Sequence, residues 1–156
     1  MPETRRQQLV DAIITRLEDI SVANGYETNA GARVEDWPRR FDDAECPALG
    51  VYDLSEASDK SDRESGFQER TLTIQVRIFV ASNTPASDLR AIIGDVERAV
   101  GVDQYWPDVS GEPLAMGTWP RRAGMVVPNE AMELAGAAVE FDVQYSTATF
   151  NPFGNE

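Results

Sequence analysis

The chain has 156 residues, enough for one domain with its own core, and 14 basic residues stand against 27 acidic ones for a formal net charge of -13. Such acidity argues against a surface that holds nucleic acid through its phosphates, and the lack of histidine removes Ser-His-Asp and Cys-His catalysis along with the commonest metal ligand. The single cysteine, Cys46, has no partner for an internal disulfide, which fits a reducing compartment, and it reads as a part-buried filler.

The first helix reads from Thr4 to about Ser21, with Thr4 as N-cap, Gln7 as capping-box partner and Leu9, Val10, Ile13, Ile14, Leu17 and Ile20 as its buried stripe. No apolar run approaches the roughly 20 residues that span a bilayer, and this capped start is unlike a signal peptide, so a soluble, unexported chain is expected. Asn24-Gly25 marks a turn, and Tyr26 to Arg40 reads as irregular with a short strand near Arg33 and Val34. Pro47 opens a strand over Ala48 to Tyr52. Ser55 to Gly66 has almost nothing to bury and reads as the mobile loop of a long hairpin.

The return strand, Gln68 to Val80, carries the clearest pattern in the chain. Leu72, Ile74, Val76, Ile78 and Val80 alternate with Thr71, Thr73, Gln75 and Arg77, which predicts one buried face and one wet face. A second helix follows at once: Thr84 as N-cap, Pro85 at N1, a stripe of Leu89, Ile92, Ile93, Val96, Ala99 and Val100, and Gly101 just past its C-cap. Gly101 to Pro113 is rich in turn formers, Leu114 to Trp119 reads as a strand, and Met125 to Leu134 is open between a strand and a helical turn because Pro128-Asn129 interrupts it. Ala137, Val139, Phe141, Val143 and Tyr145 alternate with Ala138, Glu140, Asp142 and Gln144 as a second half-buried strand, and the tail 151–156 is expected to fray. The fold class is α/β (α+β): one domain over 1–156, a mainly antiparallel sheet of four or five strands, and two helices packed on one face. Thr73, Gln75, Arg77, Glu140, Asp142 and Gln144 should then share the face away from the helices; in an assembly of several copies, Arg77 is expected to pair with Glu140 or Asp142 across strands or subunits.

Catalytic equipment is hard to find. No glycine-rich segment matches a phosphate loop or dinucleotide fingerprint. Glu35, Asp36, Asp42, Asp43 and Glu45 form an acidic cluster, but Arg39 and Arg40 lie among them, which favours a mutually neutralising loop over a metal site. Asp53, Ser55, Asp59, Ser61 and Glu64 fall at calcium-loop spacing. Ser58 stands where that loop needs glycine, and Ala57 occupies a ligand position, so no calcium site is expected. No cofactor and no enzymatic activity are expected.

The recognition candidates are a repeated tetrapeptide and the polar strand face. Trp37-Pro38-Arg39-Arg40 recurs as Trp119-Pro120-Arg121-Arg122, pairing residue types that anchor protein interfaces with a proline that limits ordering cost. For the arginines, recognition and simple solvation stay open; the tryptophans are expected to pack into the core. Arg77, Glu140 and Asp142 on the polar face, and Asp59, Lys60, Asp62, Arg63 and Glu64 in the hairpin loop, complete the interface candidates.

Several segments together resemble the tail terminator proteins of long-tailed bacteriophages and prophages: the opening helix from Arg6 to Leu17, Gly25-Tyr26, Pro47 to Tyr52, the strand Leu72 to Val80, the helix Asp88 to Val96 and the strand Val139 to Tyr145. The likeness covers most of the chain and rests on apolar spacing. It implies a structural virion protein that forms a ring, usually hexameric, on the completed tail tube, stops tube polymerisation and offers the surface to which the filled head attaches. Its implied partners are itself, the tail tube protein and a head-completion or connector protein, with genomic DNA passing through without specific binding. It implies residence at the head-proximal end of the virion tail, and in the host cytoplasm during assembly, with no membrane contact. A neck connector is the nearest alternative, and a small α/β ligand-binding or enzyme subunit remains a different class.

Overall fold

The computed structural model describes residues 2–58, 66–126 and 135–154. Helix α1 spans Arg5–Glu18 and α2 Pro85–Val100; the strands are β1 Val34–Asp36, β2 Ala48–Ser58, β3 Phe67–Val80, β4 Gly117–Val126 and β5 Ala135–Ala148. They form a five-stranded mixed sheet in the order β1-β2-β3-β5-β4. Only β1 runs parallel to its neighbour; every other pairing is antiparallel. The fold is therefore α+β with a mostly antiparallel sheet. No helix among the described residues is long and apolar enough to cross a membrane.

The β3–β5 ladder holds the domain together. Its register is unbroken from Phe67↔Ala148 to Val80↔Ala135, so the two alternating patterns match face to face. Leu72, Ile74, Val76 and Ile78 from β3 and Val139, Phe141, Val143 and Tyr145 from β5 are buried together with Leu9, Ile13 and Leu17 of α1 and Leu89, Ile92 and Val96 of α2. Complete burial of each aliphatic side chain contributes about 1.5–3 kcal/mol, which makes this cluster the main source of stability. Helix α1 touches β1, β2 and α2, while α2 covers β3 and β5.

The helix ends differ in detail from the sequence reading. Thr4 Oγ1 accepts from Gln7 N at 3.1 Å, but the Gln7 side chain donates to Asp11 at 2.8 Å, so only half of the capping box forms. At α2 the Thr84 side chain makes no cap bond; Ser82 Oγ accepts from Thr84 N at 3.2 Å and donates to Asp88 at 2.5 Å. Gly101 is itself the C-cap, in right-handed conformation. Gly31 allows a close approach: a Cβ there would lie 2.4 Å from Leu17 O, against the end of α1.

Three sequence expectations need correction. Ser55 to Ser58 is strand rather than loop, because Glu56 and Ser58 pair with Leu72 and Arg70. Residues 59–65, including Asp59, Lys60, Asp62, Arg63 and Glu64, lie outside the described residues. The strand read at Leu114 to Trp119 starts at Gly117 and runs to Val126; Leu114 and Ala115 instead form a buried turn whose amides donate to Tyr105 O at 3.1 and 2.9 Å. Met125 belongs to β4, and 127–134 lie outside the described residues. In the tail, Arg5 N donates to Pro152 O and Ala148 N donates to Gly154 O, both at 2.8 Å, so 151–154 fold back onto the body.

Candidate interaction surface on the open face of the sheet

Alternation in β3 and β5 turns Thr73, Gln75 and Arg77, and opposite them Asp142, Glu140 and Ala138, away from the hydrophobic cluster. The face is a connected hydrogen-bond lattice. Thr73 Oγ1 donates to Asp142 at 2.8 Å, and Gln75 Nε2 donates to Glu140 at 2.9 Å. Arg122 grips Glu140 with two donors, Nε at 3.1 Å and Nη2 at 3.2 Å, in the fork geometry that suits a carboxylate. Arg121 lies 3.5 Å from Asp142 and 3.9 Å from Glu140. Gln144 Nε2 donates to Glu69 at 3.0 Å.

Arg77 does not answer these carboxylates within the chain, contrary to the sequence expectation. Its Nε donates to Gln75 Oε1 at 2.6 Å and its guanidinium lies over the Tyr52 ring at 5.0 Å. Arg121 and Arg122 hold the acids because β4 lies directly beside β5, with Arg122 in register with Glu140, whereas Arg77 is in register with Ala138.

The lattice is buried at its centre: Gln75 is 9% exposed and Glu140 6%. Burial alone pushes the Glu140 carboxyl up, but hydrogen bonds from Arg122 and Gln75, with the charges of Arg122 and Arg121, outweigh it and leave the group below its usual range. Asp53 behaves likewise. Its burial is outweighed by Trp37 Nε1 donating at 2.6 Å and Arg6 Nε at 2.5 Å.

The two Trp-Pro-Arg-Arg copies stand at opposite edges of this sheet and are built differently. Trp37 directly follows β1 in a left-handed conformation at φ 48, with its ring edge-on to Tyr52 at 4.9 Å; Pro38 sits on Gly50, and Tyr52 donates to Pro38 O at 2.6 Å. Trp119 instead lies inside β4, before a register shift between Pro120 and Arg122. The expected packing of both tryptophans into the core is corrected: Trp37 is 53% exposed and Trp119 50%. The buried tryptophan is Trp106, which no periodicity marked. It stacks on Phe141 at 6.2 Å, carries Arg16 over its ring at 3.8 Å, and donates to Thr118 Oγ1 at 2.8 Å.

Arg39 and Arg40 are exposed and take no part in neutralising the acidic cluster; Arg33 does this instead, 3.4 Å from Glu35 and 3.9 Å from Glu45. Among the described residues no group of three or more His, Cys, Asp or Glu is placed to hold a metal ion. Beside the β4 edge lies a groove of about 860 Å³ between the end of α2 and the sheet, lined by Val102, Tyr105, Pro120, Arg121, Arg122 and Phe141 among others. At the far end of the core face the packing turns polar: Arg70 pairs with Glu56 at 3.0 Å and donates to Thr147 at 2.9 Å, while Tyr145 donates to Glu56. Burial and the Glu56 carboxylate push the Tyr145 hydroxyl far above its usual range.

The centre of the open face is preorganised by mutual hydrogen bonds, and half-exposed Trp and exposed Arg stand at its edges. No protein-family model and no curated protein matches the chain.

Proposed function

We propose that the chain is a structural phage virion protein that forms a ring on the end of the tail tube, terminates its polymerisation and provides the surface to which the head attaches. The observation that carries this reading is the open sheet face, where Gln75, Arg122 and Arg121 satisfy Glu140 and Asp142 while Trp37 and Trp119 remain half exposed at the two edges. A lattice with its charges already paired suits a docking surface, because binding then leaves no carboxylate buried and unanswered. The resemblance of the helix and strand segments to tail terminators supplies the identity of the assembly, and the net charge of -13 keeps a conduit wall from holding DNA.

Electron microscopy of the protein mixed with purified tail tubes tests the reading. Rings seated on one end of the tubes are expected. Bare tube ends with the protein bound to isolated head connectors would favour the neck connector, and binding to neither would overturn the virion reading.

A further inference from the structure

The two edges of the sheet are complementary in direction, level and charge. Strand β1 runs with β2, and each step from β2 through β3 and β5 to β4 reverses direction, so the outermost strands β1 and β4 are antiparallel to one another. A second copy that continues the sheet sideways, with its strands unflipped, therefore places its β1 antiparallel to β4 of the first. The ladders also fix the level. Asp36, Val51, Val76, Val139 and Ala123 form one row across the sheet, and Glu35, Gly50, Arg77, Ala138 and Gly124 form the next.

Charge follows the same division. Strand β4 contains no carboxylate and displays Arg121 and Arg122, whose side chains are 51% and 76% exposed. Strand β1 displays Glu35 and Asp36, both exposed; Glu35 lies in the row of Arg77 and so shares the open face with Arg122, whereas Asp36 lies in the row of buried Val51 and Val76, on the helix side. Desolvation, with Asp53 and Asp11 nearby, holds the Asp36 carboxyl above its usual range.

We infer that a second copy of this chain adds its β1 edge, antiparallel, to the β4 edge of the first, so that Glu35 of one subunit comes opposite Gly124 and diagonal to Arg122 of the next on the open face. This contact is head-to-tail and closes a ring when its rotation divides the full circle without a rise, so the inference deepens the proposed ring and rests on it. It also gives the repeated tetrapeptide a use. Trp37 follows the end of β1 and Trp119 lies near the start of β4, and the antiparallel arrangement brings both to the same end of the seam, where the two half-exposed rings can be covered together.

The test is disulfide trapping on tail tubes in a Cys46→Ser background. The double variant Glu35→Cys with Gly124→Cys is expected to give a ladder of covalent dimers, trimers and larger species, while each single variant stays monomeric on a denaturing gel. Rings that form without the ladder would overturn the edge contact and leave the ring reading standing. Gly124→Cys alone trapping a dimer would overturn it in favour of β4 pairing with β4. Absence of rings on tubes would overturn both. A second variant guards against loss of fold: Glu35→Arg changes an exposed side chain, so its melting temperature should stay near the parent's while ring assembly is lost. Assembly equal to the parent would overturn the pairing of Glu35 across the seam.

Discussion

The two faces of the β3–β5 ladder share one backbone and one register yet solve opposite problems. On the helix side, Leu72, Ile74, Val76 and Ile78 meet Val143, Phe141, Val139 and Ala137, and stability comes from apolar area removed from water. On the other side, Thr73, Gln75 and Arg77 meet Asp142, Glu140 and Ala138, and the centre is nearly as dry although it is polar. A hydrogen bond there adds little net free energy, because water offered the same bond, but an orphaned partner costs a full desolvation penalty. The first face should fail in proportion to volume removed, and the second according to what is left unpaired.

The largest effect belongs to the apolar face. Phe141→Ala empties the site against Trp106 and should cost about 3–5 kcal/mol, read as a lower denaturant midpoint with little change in slope. Glu140→Ala should rank second at about 1–3 kcal/mol, because the Gln75 amide and the Arg122 fork lose their acceptor together. A cost of Glu140→Ala equal to that of Phe141→Ala would mean that the polar lattice carries the fold as the core does. Thr73→Val keeps shape and deletes one donor to Asp142, which is 3.5 Å from Arg121, so about 0.5–1.5 kcal/mol is expected. Trp119→Ala should be smallest, within about 0.5 kcal/mol for the isolated chain, because the ring is half exposed and serves the edge instead of the core.

Acid titration separates the faces by sign. Glu140 has a folded-state pKa below its ordinary value of 4.5, so its contribution is present above that value and is lost as pH falls through the lowered pKa. Asp36, raised from 3.8, has the opposite sign: its charged form is disfavoured in the fold, and protonation relieves the penalty. Glu140→Gln should therefore flatten the fall in stability below about pH 4.5. Asp36→Asn should raise stability at neutral pH and leave the acid fall in place; thermal melts across pH read both.

The ladder was legible because period-2 alternation in Leu72 to Val80 and Ala137 to Tyr145 states directly which side chains share a face. Alternation says nothing about which neighbour answers a charge. Arg77 and Arg122 look alike in sequence, and only the order β3-β5-β4 with the Arg122↔Glu140 register decides that Arg122 pairs and Arg77 stacks on Tyr52. Trp106 was invisible for a related reason. It sits at φ 49 in a turn-rich stretch without periodicity, and it is buried by partners distant in sequence, Arg16 and Phe141. The strand character of Ser55 to Ser58 was missed because polar composition hides pairing that Arg70 and Tyr145 make favourable through Glu56.

The central claim, that this surface builds a ring which stops tube growth, is tested most directly by elongation of preformed tail tubes in excess tube protein, with and without this chain. Tube lengths should stay at their starting distribution once the chain is added, and Glu35→Arg should restore growth. Tubes that lengthen equally in its presence would contradict the account.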